Sequence, residues 1–79
     1  MSGDSYSVIL VHSTSHAMRI EKLLGERGVA CKMIPVPRQI SSDCGVCIRI
    51  LQQDVEPARR AVAAAIEIQG IVPIQGGLR

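Results

Sequence analysis

Apolar positions fall in short runs separated by polar stops, and their period switches between two and about three and a half. Tyr6-Ser7-Val8-Ile9-Leu10-Val11-His12 is nearly continuous, apolar and β-branched, which predicts a central strand. Ser13-Thr14-Ser15 supplies hydroxyls able to cap a helix. Ala17, Ile20, Leu23 and Leu24 then recur at helical spacing, with Arg19, Glu21, Lys22 and Glu26 on the wet side, so a helix is expected to Arg27, closed by Gly28. A second strand is expected at Val29–Ile34, where Cys31 and Met33 share the core direction, and Pro35 and Pro37 terminate it. In a third, Val46–Leu51, residues Val46, Ile48 and Ile50 point one way and Cys47, Arg49 and Leu51 the other. A second helix starts near Asp54 to Pro57, buries Ala58, Ala61, Val62, Ala65 and Ile66, and is closed by Gly70. Ile71–Ile74 reads as a short last strand whose Pro73 implies a sheet edge.

This order, β-α-β-β-α-β, predicts an α+β ferredoxin-like sandwich: a four-stranded antiparallel sheet with two helices on one face. A single domain is expected over residues 1–79, with its core at about 6–74 and short flexible termini. The topology brings the end of the first strand, the start of the first helix and the loop between strands two and three to one end of the sheet. His12, Ser13, Thr14, Ser15 and His16 should therefore face the segment that ends at Cys44-Gly45.

Composition narrows the function. The 79 residues include no Phe or Trp and one Tyr, so the core must be built from aliphatic side chains, and dimerisation would help it. Nine basic and seven acidic residues are scattered, and only Arg59-Arg60 are adjacent. With no basic run and no aromatic platform, no nucleic-acid partner is expected. No stretch approaches the ~20 apolar residues that span a bilayer, and no export signal opens the chain, so a cytoplasmic protein without a membrane partner is expected. Three cysteines argue against a disulfide scaffold.

Pro35-Val36-Pro37-Arg38-Gln39-Ile40-Ser41-Ser42-Asp43-Cys44-Gly45 reads as a stiff polar loop, with Cys44 expected to be exposed beside Arg38. A helix N-terminus and a cationic side chain both favour the nucleophilic thiolate, and Gly45 would let backbone approach a bound anion closely. Cys44 and Cys47 form a C-x-x-C, but residues three apart in a strand face opposite sides and span roughly 10 Å, whereas a disulfide needs Cα atoms within about 7 Å. His12 and His16 could join the two cysteines around zinc; without a second compact ligand pair, no metal and no cofactor is expected. The histidines then hydrogen-bond or tune charge near Cys44. Cys31 reads as packing.

The loop Pro35–Gly45 is similar to a Pro-x-Pro-Arg-x-Ile-Ser-Ser-x-Cys-Gly signature, and His12–Leu24 to a strand-end Ser-Thr followed by an Ala…Glu-Lys-Leu-Leu helix. In these segments, and over Tyr6 to Ile74, the chain resembles the selenium/sulfur carrier protein-like family. The resemblance implies a persulfide or selenopersulfide on Cys44, a loop shaped by Arg38, Ser41, Ser42 and Gly45, and protein donors and acceptors of the chalcogen. Cys47 stands where relatives would carry an apolar residue. A carrier rather than a catalyst is the leading reading. The main alternative is a small dimeric binding or regulatory module, paired through the open sheet face, in which Cys44 is incidental. A thiol-dependent enzyme is third, since His12 and His16 are the sole acid–base candidates.

Overall fold

The structure, a computed structural model, describes residues 5–38, 40 and 44–74. Its elements are β1 (Tyr6–Leu10), α1 (Thr14–Glu26), β2 (Cys31–Pro35), β3 (Val46–Leu51), α2 (Val55–Ala63) and β4 (Gly70–Ile74), with a 3₁₀ turn at Gln52–Asp54. The sheet runs β2-β3-β1-β4 and every pairing is antiparallel. Both helices pack on one face, giving the ferredoxin-like α+β arrangement that the element order predicts. The termini expected to be flexible, and Ser41 and Ser42, lie outside the described residues.

Several element ends differ from the expectation for identifiable reasons. Gly28, at φ +78°, closes α1 in a Schellman motif: Gly28 N–H donates to Gly25 O at 3.2 Å and Val29 N–H to Leu24 O at 2.9 Å. Val29 is thus committed to the helix end, so β2 begins at Cys31 rather than at Val29. Its last residue, Pro35, is tolerated because β2 lies at a sheet edge, as β4 does with Pro73. The alanine-rich stretch to Gly70 does not stay helical. It turns after Ala63, where Ile66 N–H donates to Val62 O at 2.8 Å, and Gln69 N–H then donates to Leu10 O at 2.7 Å to set β4 against β1. Sheet pairing overrides helix propensity here, so Gly70 opens a strand instead of closing a helix, and Ala65 is exposed.

Alternation sorts the two faces. Ile9, Ile48 and Ile50 meet Ala17, Ile20 and Leu24 of α1 and Val55, Ala58, Ala61 and Val62 of α2 on the helix side. Val8, Leu10 and Cys47 occupy the other face, where Ile34, Val36, Ile40, Val72 and Ile74 pack against them. Ser7, the one buried polar residue among those described, points to the helix side and donates to Gln52 Oε1 at 2.5 Å.

Substituting Gly28→Ala forces a side chain into left-handed backbone and is expected to lower unfolding free energy by about 1 kcal/mol. Gly45 has no positive φ, and an added Cβ would meet no described atom within 4 Å. Gly45→Ala should stay within ~0.5 kcal/mol of the parent. Urea unfolding of both variants checks the contrast, and equal losses would refute it.

Candidate functional site

Cys44 lies two residues before β3, so the strand's alternation carries its side chain to the helix face with Val46 and Ile48. There its Sγ is 3.6 Å from the Oγ1 of Thr14, the first residue of α1, and either atom can donate. At this contact the α1 start meets the end of the β2–β3 loop, as the topology predicts for these two elements. The expected exposure is not realised: Cys44 is 9% exposed and belongs to the helix-side core. The loop is polar by composition, but the phase of β3 decides where the thiol goes.

Local capping fixes the helix end beside it. Ser13 is extended, at φ −154° and ψ 160°, and its Oγ accepts from His16 N–H at 3.3 Å. A 13-residue helix thus begins with its positive end at Thr14, against the cysteine. Ser15 and His12 are exposed, and His16 is half-buried, with a buried Nδ1 that has no hydrogen-bond partner among the described residues. The histidines and cysteines do not gather as a zinc site: among the described residues, no three His, Cys, Asp or Glu converge as metal ligands. Arg38 is exposed and makes neither hydrogen bond nor ion pair with a described residue.

The loop is less polar in its packing than in its composition. Val36 N–H donates to Gly45 O at 3.1 Å and closes the base, while Ile40 N–H donates to Pro37 O at 3.0 Å in a tight turn. Val36 and Ile40 lie against the second face of the sheet, over Val8, Leu10 and Cys47. Sequence reading passed over these two anchors, although their i, i+4 spacing around Pro37-Arg38 was the available signal.

The three cysteines form no disulfide. Cys47 is fully buried on the face opposite Cys44, as strand alternation requires. Burial, and secondarily the nearby Cys44 thiol, pushes its pKa up to about 11. Cys31 is also raised, by burial first and by Glu21 second, with its Sγ 3.8 Å from the Glu21 carbonyl oxygen. Both remain neutral thiols at physiological pH.

A raised thiol stabilises the folded state fully below its ordinary value of 9.0 and loses that contribution as pH climbs through about 11. Native stability should therefore fall between those values, and Cys47→Ala should flatten the fall. Urea midpoints measured across that range in both proteins test it; parallel slopes would contradict the assignment.

No helix among the described residues is long and apolar enough to cross a membrane. No curated protein and no solved structure matches the chain. A family model described as "Putative Se/S carrier protein-like" matches residues 6–73, a span that holds the whole sheet but its last residue, both helices and the Cys44 loop. The chain belongs to this Se/S carrier protein-like family.

Proposed function

We propose that the protein carries one sulfane sulfur or selenium atom on Cys44, received from a donor protein and passed to an acceptor. The observation that supports this reading above all is the 3.6 Å approach of Cys44 Sγ to Thr14 Oγ1 at the start of α1. A helix N-terminus favours negative charge, and a hydroxyl can accept the S–H proton or donate to the thiolate. Of the three thiols, Cys44 is the one set against the start of a helix, and burial raises the pKa of the other two.

In the loading step, the Cys44 thiolate attacks the terminal sulfur of a donor persulfide. A new S–S bond forms on Cys44 as the donor's own S–S bond breaks, and the donor sulfur leaves as a thiolate that takes up the proton. The transferred atom keeps its oxidation state, so no external oxidant or reductant is needed. A terminal selenium moves by the same exchange, with an S–Se bond formed and one broken. Unloading reverses the roles, with an acceptor nucleophile attacking the terminal atom.

Among the described residues nothing requires glycine at position 45, which is exposed with no described atom where a side chain would be. Its absent side chain instead suits close approach of a donor or acceptor backbone.

Incubation with a persulfide donor should add the mass of one sulfur to the parent protein and to Cys47→Ser, and none to Cys44→Ser. Addition to Cys44→Ser would end this reading. Thr14→Val should slow loading about tenfold, the effect of losing one hydrogen bond to a charged sulfur; an unchanged rate would remove Thr14 from the mechanism.

A further inference from the structure

A second feature lies at the opposite end of the sheet from Cys44, where β1 and β2 begin and β3 ends. Lys32 pairs directly with Arg49 across β2 and β3. Directly opposed residues share a face, so two cations stand side by side with Cβ atoms about 5 Å apart, an arrangement that destabilises a sheet. No described residue neutralises it. Among the described residues neither side chain forms an ion pair, and the described acids lie elsewhere: Glu21 and Glu26 in α1, Asp54 in the 3₁₀ turn, Glu56 in α2 and Glu67 beyond it.

Arg49 is instead held in place by an aromatic ring. Its guanidinium carbon sits 4.5 Å from the centroid of Tyr6, the chain's one aromatic residue. Stacking fixes the plane of the guanidinium and leaves its N–H edge available for an oxyanion. Lys32 adds an exposed, mobile point charge. These groups line a pocket of about 310 Å³ whose walls also include Cys31, Ile50 and Leu51. Such a volume matches the small end of organic-ligand sites.

We propose that this pocket binds a small organic phosphate monoester, its phosphate between Lys32 and Arg49 and its apolar body against Tyr6 and Leu51. A phosphate monoester carries a charge of about −2 at neutral pH, which matches two adjacent cations. A second copy of the chain docked with its twofold axis at this patch would gather four cations, which disfavours self-association there. The site is independent of the carrier reading.

The test is an amide NMR titration with phenyl phosphate as probe, run beside inorganic phosphate. Saturable shifts are expected at Tyr6, Lys32 and Arg49, with a Kd of about a millimolar or below. Lys32→Gln and Arg49→Gln should each weaken binding about tenfold, as loss of a charge-assisted contact does. Lys32 is exposed, so its variant keeps the test informative should Arg49→Gln disturb the sheet. Inorganic phosphate should bind more weakly, and Cys44→Ser should bind phenyl phosphate as the parent does. Absence of saturation, equal affinity in Lys32→Gln, equal affinity for inorganic phosphate, or loss of binding in Cys44→Ser would each overturn the proposal.

Discussion

The central strand pair is buried on both sides, and the rest of the molecule is arranged to keep it so. Val8, Ile9, Leu10 and Val11 in and after β1, and Cys47, Ile48 and Ile50 in β3, are at most 5% exposed. Antiparallel sheets commonly leave one face to solvent; here the second face is covered over Val8, Leu10 and Cys47 and open at the Lys32–Arg49 end. Each fully buried large aliphatic contributes roughly 1.5–3 kcal/mol, and a chain of this size without Phe or Trp cannot leave half of its sheet wet. The helices cover one face. On the other, Val36 and Ile40 bring the β2–β3 loop across Val8, Leu10 and Cys47.

That constraint also separates the thiols. With the loop closed at Val36 and Gly45, β3 starts at Val46, and its two-residue period sends Cys44 to the helix side and Cys47 to the other. One sulfur meets a hydroxyl and the start of a helix; the other is enclosed by aliphatic side chains and pushed up to about 11. The C-x-x-C spacing therefore produces two unlike thiols rather than a dithiol pair. In a motif that opens a helix the same spacing would bring both sulfurs to one site.

What the sequence made legible follows from which forces are local. The period-two pattern of Val46–Leu51 and the stripe Ala17, Ile20 and Leu24 report burial directly, so β3 and the buried face of α1 were readable residue by residue. The Ser13 cap and the Gly28 stop are likewise written in short-range chemistry. The end of α2 was not, because Ala63-Ala64-Ala65 favours helix and only the register of β4 on β1 pulls the chain away. The burial of Cys44 was missed for a related reason. Its neighbours in sequence are polar, but its neighbours in space are set by the phase of a strand that starts two residues later.

Partial burial also suits the carrier reading on chemical grounds. A terminal sulfur or selenium on a fully exposed cysteine would meet every dissolved thiol, and exchange with any of them would discard the cargo. A sulfur sealed in the core would meet no donor. Cys44, at 9% exposure, sits between these limits: aliphatic side chains of the core lie on its inner side, the exposed Thr14 reaches its sulfur, and Gly45, with no described atom where a side chain would be, follows it in the chain. Access is then granted by shape. On the proposed reading, a partner whose backbone can approach Gly45 would reach the thiol, and because a helix start favours an anion, selection between partners would fall to the surface around the loop rather than to the sulfur's own reactivity.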